Sequence, residues 1–376
     1  MLSWTMAKES LSVDLAAFQW QHLHLETAAR RLPALALCLA LGTASGQPAA
    51  GAVACGAALS LGMAGQRQVR GSRLLAMSWT AATMAIAAWI GTHAGNSHWA
   101  APLAIALGAF VFGLLTVYDE NVGWIAMQGT LALTLATALP AHGAAAFERS
   151  AAILAGAAAQ MAVLSAIWRF RGVSRHGDER EGGGKPGPLR DYEYHWEAFA
   201  RSVRLRSAAF RYAARLALTM VLAVEAARYL PIRNGYWLPM TTLIVMKPDF
   251  YRTYSGGVQR VAGTLVGAGV ASLLARLFHP ASAWLVGLAL AFAFLTLLLL
   301  KVNPTAFAAA LTSFVVFMIA TTGAPEGATT LHRLVNTALG CALALGSQAL
   351  GHRHLLKLLG GDPAGEVRPA GAVQGA

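Results

Sequence analysis

Apolar runs near 20 residues long, separated by short polar turns, recur along most of this 376-residue chain. A helical run of that length matches the hydrocarbon thickness of a bilayer. The pattern predicts membrane helices at 32–46, 49–65, 74–92, 99–117, 122–140 and 149–168. After a polar stretch it predicts a second set at 208–229, 233–247, 259–278, 282–300, 304–321 and 331–350. No alternating segments of the β-barrel kind interrupt the pattern. The expected fold is all-α, a polytopic helical membrane protein of about twelve transmembrane helices. Its expected divisions are an N-terminal segment (1–31), a first six-helix set (32–168), a linker (169–206), a second six-helix set (207–350) and a tail (351–376). Leu11, Leu15, Phe18 and Leu23 have helical spacing, so residues 1–31 are expected to hold an amphipathic surface helix rather than a cleavable signal peptide.

Composition narrows the class. Only 12% of residues are charged against 56% hydrophobic, with mean hydropathy +0.51. A soluble chain of this size carries about twice that charge. The 38 glycines, with abundant alanine, suit close helix packing in lipid. Such helices permit a homodimer without requiring one. A net charge of +12 would suggest nucleic acid in a soluble protein, but cytoplasmic loops of membrane proteins are rich in Lys and Arg, so no nucleic-acid partner is expected. Arg169, Arg171, Arg175, Arg180, Lys185 and Arg190 mark the linker as cytoplasmic. Six helices on either side then place both termini in the cytoplasm. Cys38, Cys55 and Cys341 all fall in apolar segments and are expected to pack rather than to pair or bind metal.

The two halves share polar landmarks. Arg70 aligns with Arg260, Asn121 with Asn303, and Arg149 with Arg333, in the same order. This suggests a duplication, and an even helix count per half makes the repeats parallel.

The richest segment is Tyr236–Ala271. It passes from an apolar helix through the turn Lys247-Pro248-Asp249 into a glycine-spaced helix that opens with Arg260. Tyr236-Trp237, Pro239, the Lys-Pro-Asp turn, Gly257, Gln259-Arg260, Gly263 and Gly267 resemble the fusaric acid resistance protein-like family of inner-membrane proteins. The segment from His332 to Thr337 resembles that family's last helix, with Asn336 where the family often has an acid. The resemblance covers about residues 205–350. It implies efflux of aromatic carboxylic acids, often with a periplasmic adaptor partner. Plant aluminium-activated malate transporters, which are anion channels, look similar at the same segment.

An organic anion crossing lipid needs fixed positive charge, and arginine can hold both oxygens of a carboxylate. Arg260, Arg333, Arg211 and Arg215 are candidates, with Arg70 and Arg149 as counterparts; each is expected at or just inside a helix end, where snorkelling to lipid phosphate is the alternative. Lys247, Asp249 and Arg252 form a compact charged turn, read either as a gate in which Asp249 changes partners or as a local salt bridge. Trp237, Asn303 and Asn336 complete the expected substrate-binding set. Coupling to protons would need an acid, and Glu225 and Asp249 are the candidates; Arg228 three residues after Glu225 offers it an ion pair instead. No phosphate-binding loop, metal cluster or nucleophile–base pair is legible, so neither an enzyme nor a cofactor is expected. Secondary export, passive anion conduction and a scaffold without transport all remain open.

Overall fold

The computed structural model describes residues 17–69, 71–170, 207–278, 282–323 and 326–358. The expectations for Leu11 and Leu15, for Arg70, for residues 171–206 and for the chain beyond 358 lie outside these residues. Apart from one isolated bridge between Val69 and Ser72, regular structure among the described residues is helical. A 3₁₀ turn at Trp20–His22 and a short helix at Leu25–Ala29 lead into twelve main helices. The first set is α1 (Leu32–Ala44), α2 (Pro48–Ala64), α3 (Arg73–Ala94), α4 (Ala100–Tyr118), α5 (Glu120–Thr137) and α6 (Ala144–Phe170). The second is α7 (Ala208–Tyr229), α8 (Trp237–Val245), α9 (Phe250–Phe278), α10 (Ser282–Leu299), α11 (Pro304–Ala320) and α12 (Glu326–Leu358).

The chain is a multi-pass membrane protein. Helices α3, α4, α6 and α9 are long and apolar enough to cross a bilayer, and α2, α10 and α11 supply shorter apolar segments. Large apolar side chains such as Leu103, Leu107, Val111, Leu265 and Leu273 lie exposed on these helices, as a lipid-facing surface requires.

Every helix pairing within the first set has a counterpart six positions on, save one minor contact. Thus α3 packs on α5 and α9 on α11; α2 packs on α6 and α8 on α12; α3 packs on α6 and α9 on α12. Between the sets, α4 packs on α7 and α10 on α1, while α5 meets α8 and α11 meets α2. Helix caps follow the same order. Ser72 and Asp249 cap α3 and α9; Asp119 and Asn303 cap α5 and α11. Asp119, two residues before Asn121, is therefore the residue that does in the first set what Asn303 does in the second.

Two sequence expectations need correction. The expected membrane helix at 233–247 is only the nine-residue α8. Nine residues rise about 13.5 Å, under half of the roughly 30 Å hydrocarbon layer. Gly235 and the left-handed Asn234 (φ 56°) delay its start, and Pro248 ends it. Conversely α9 begins at Phe250 rather than 259. Arg260 therefore lies ten residues inside a continuous helix, about 15 Å along its axis, and not at its end.

Candidate functional site

Helices α8 and α12 run parallel and in backbone contact, because Gly340 faces the carbonyl of Leu238 where a Cβ would fall 2.6 Å from the oxygen. This close approach sets the first residue of α8 against the N-terminal part of α12. Arg333, on α12, is 1% exposed, and its guanidinium lies 3.9 Å from the centroid of the Trp237 ring. Both Nη1 and Nη2 are buried without a hydrogen-bonding partner, as is Nε1 of Trp237. One turn along α12, Asn336 is fully buried. Its Nδ2 donates to the backbone oxygens of Arg233 (3.2 Å) and Asn234 (3.3 Å), and its Oδ1 has no partner. Arg260 enters from α9, 8% exposed, with Nε unpartnered. Helix α9 packs on α12, so the two buried arginines lie on neighbouring helices. Among the described residues no carboxylate pairs with either.

Magnitudes decide what such a site favours. Desolvating one ion costs several kcal/mol even after relaxation. A desolvated cation–π contact returns about 2 kcal/mol. Trp237 thus offsets part of the cost for Arg333, and a second buried cation adds to it. An anion that supplied two oxygens to Nη1 and Nη2 would relieve both terms.

Threonine hydroxyls mark a further feature. Buried Thr80, Thr92, Thr219, Thr242 and Thr296 each donate to the carbonyl four residues back, at 2.7–3.0 Å. Thr264, one turn after Arg260, and Thr312 on α11 are equally buried, yet their hydroxyls have no partner. A hydroxyl rotamer leaves no trace in sequence, so these two could not have been singled out.

The Lys-Pro-Asp hinge is anchored rather than loose. Tyr212 donates to the Met246 oxygen (3.0 Å), Gln348 to the oxygens of Lys247 (2.6 Å) and Pro248 (3.2 Å), and the Lys247 amide to Thr253 (2.9 Å). Gln348 continues the stripe of Arg333, Thr337, Cys341 and Ala344 along α12, and that spacing was the available signal for it. Asp249 is exposed and accepts the Arg252 amide at 2.8 Å, so it is the N-cap of α9. Among the described residues no ion pair joins Asp249 to Lys247, Arg252 or Arg260. Arg252 is exposed. Lys247 faces the first helix set: burial lowers its ammonium pKa, Glu120 raises it, and Arg67 and Arg252 lower it again. Glu120 itself is 3.4 Å from Arg67.

The other predicted residues have separate roles. Asn303 uses Oδ1 to cap α11 through the Ala306 amide and donates Nδ2 to the Ala17 oxygen, tying the N-terminal segment to this turn. Glu225 is paired with Arg228 at 2.8 Å, and Arg228 also donates to the His98 oxygen. Arg211 and Arg215 lie half-buried in the first turns of α7. Arg149 is half-buried and donates to Thr92 Oγ1 and the Leu139 oxygen. The structure therefore brings Arg260, Arg333, Trp237 and Asn336 together, and leaves Lys247, Asp249 and Arg252 at the hinge.

The Arg260, Arg333, Trp237 and Asn336 cluster and the Lys247–Asp249 turn lie within residues 222–346, the stretch matched by one family. Residues 222–346 match the fusaric acid resistance protein-like family, about a third of the chain. The chain is also similar to an uncharacterised protein of Neisseria gonorrhoeae, 38% identical over 21% of this chain and 19% of the relative. An uncharacterised protein of Synechocystis is 30% identical over 40% of this chain and 20% of its own length. The inner membrane protein YccS of Escherichia coli is 31% identical over 20% of this chain and 10% of its length. The matched stretches thus span a fifth or less of each of these relatives. No solved structure matches the chain. The fusaric acid resistance protein-like segment begins inside α7 and ends inside α12, so it includes Glu225, Trp237, Arg260, Asn303, Arg333 and Asn336 but stops short of Gln348.

Proposed function

We propose that this protein is a secondary exporter of organic, in particular aromatic, carboxylic acids across the inner membrane. The carrying observation is Arg333: a fully buried guanidinium with both terminal nitrogens unpartnered and an aromatic ring on its face. A carboxylate would complete that set, and Trp237 would offer the aromatic part a surface. The fusaric acid resistance protein-like segment supports a transport role. The reading assigns no enzymatic step and no cofactor. It takes the two helix sets as parallel repeats with both termini cytoplasmic, supported by the matched helix pairings and the basic linker. A homodimer and a periplasmic adaptor belong to the same proposal.

Passive anion conduction is the second reading. It is favoured by the acids: Glu225 is held by Arg228 and Asp249 by the α9 amide, so neither stands beside the arginines as a proton carrier. Uptake of a labelled hydroxybenzoate into inside-out vesicles, with and without a protonophore, separates the two. Accumulation that collapses with the proton gradient supports coupled export. Equilibration unaffected by the protonophore supports a passive path, and absence of flux overturns both in favour of a scaffold.

A further inference from the structure

Resting on that reading of the Arg333 site, the geometry points to Asn336 as a specificity-determining residue that selects organic anions carrying a hydrogen-bond donor, a hydroxyl or N–H group, in addition to the carboxylate. The orientation of this amide is fixed by its surroundings. Its Nδ2 faces two backbone oxygens, those of Arg233 and Asn234, which only a donor can satisfy. The acceptor Oδ1 is thereby turned away from the loop, fully buried and unpartnered. Asn336 follows Arg333 by three residues on α12, about one helical turn, and the loop that holds its nitrogen leads directly into Trp237. Arg333 Nη1, Arg333 Nη2 and Trp237 Nε1 are donors awaiting acceptors, whereas Asn336 Oδ1 is an acceptor awaiting a donor.

A plain carboxylate satisfies the three donors and leaves Oδ1 stranded. A ligand that adds one donor satisfies all four atoms. Discrimination by a buried acceptor is strong, because the poorer ligand leaves that acceptor desolvated and unpaired. Mutual pairing of Asn336 with Arg333 would have removed the requirement, but no such bond forms.

The test is the binding of matched ligand pairs to purified full-length protein in lipid nanodiscs by isothermal calorimetry. The three hydroxybenzoate isomers are compared with the corresponding methoxybenzoates, which keep the oxygen and lose the donor. At least one hydroxybenzoate is expected to bind about tenfold more tightly than its methoxy partner. Asn336→Leu should bring that ratio close to one. Equal affinity within every pair in the wild-type protein overturns the role of Asn336 while leaving the anion site standing. A preference that survives Asn336→Leu also overturns it. Absence of binding by any of the six, with no heat lost on Arg333→Gln, overturns the anion site and this inference together. The wild-type ratio decides the matter even where the leucine variant fails to fold.

Discussion

Arg149 on α6 and Arg333 on α12 lie on helices with matching packing partners, and they have opposite fates. Each lies seven residues before a glycine, Gly156 or Gly340, that lets its helix touch the backbone of a partner helix. Arg149 is half-buried, with its Nη1 bound to Thr92 and Leu139. Arg333 is sealed, stacked on Trp237, and short of two partners. The surroundings differ because α2 is a 17-residue helix beginning at Pro48, whereas α8 is a nine-residue half-helix whose first residue is a tryptophan. The shortened helix places an aromatic face where the first set has none. One half thus carries an arginine bonded by its neighbours, and the other carries one whose terminal nitrogens have no hydrogen-bond partner.

The largest expected contrast is between the two arginines themselves. Arg333→Gln should lower hydroxybenzoate affinity at least about 30-fold, while Arg149→Gln should change it less than about threefold, read by calorimetry on nanodisc-held protein. Asn336→Asp comes next. It would place a carboxylate one turn from Arg333, giving the cation an internal partner and costing about tenfold in anion affinity. This variant makes the second half resemble the first in having a satisfied arginine.

The glycines sharpen the comparison differently. Gly156→Ala and Gly340→Ala each press a methyl group into backbone, so both should destabilise by about 1–3 kcal/mol in denaturant unfolding. Only Gly340→Ala should also weaken anion binding, because it moves Arg333 off Trp237. The smallest effect concerns the hinge. Glu120 raises the Lys247 pKa, so Glu120→Gln should lower it, and acylation of Lys247 followed by mass spectrometry should then begin at lower pH.

Much of this was legible because lipid imposes a simple rule on sequence. Apolar length placed all twelve main helices, and positions 208–229 and 304–321 came within a residue of the observed bounds. What periodicity does not carry is where a backbone leaves the helix and which polar atoms are already satisfied. Residues 233–247 read as one helix in the sequence, and the left-handed turn at Asn234 takes 233–236 out of it. Arg260 and Arg333 were singled out by charge and spacing, yet nothing in the chain tells Arg333, unpartnered, from Arg149, bound to Thr92. Asn303 stands out in the sequence as a repeat landmark and Asp249 as the acid of a charged turn, and in the structure both serve as helix caps. Tyr212 and Thr253, which hold the hinge, carry no signal beyond their residue types.

The most direct measurement is uptake of labelled hydroxybenzoate into inside-out vesicles bearing equal amounts of wild-type protein, Arg333→Gln and Arg149→Gln. If the unpartnered guanidinium binds the transported carboxylate, Arg333→Gln abolishes uptake and Arg149→Gln retains it. Uptake by Arg333→Gln at the wild-type rate, or equal loss in both variants, would contradict it.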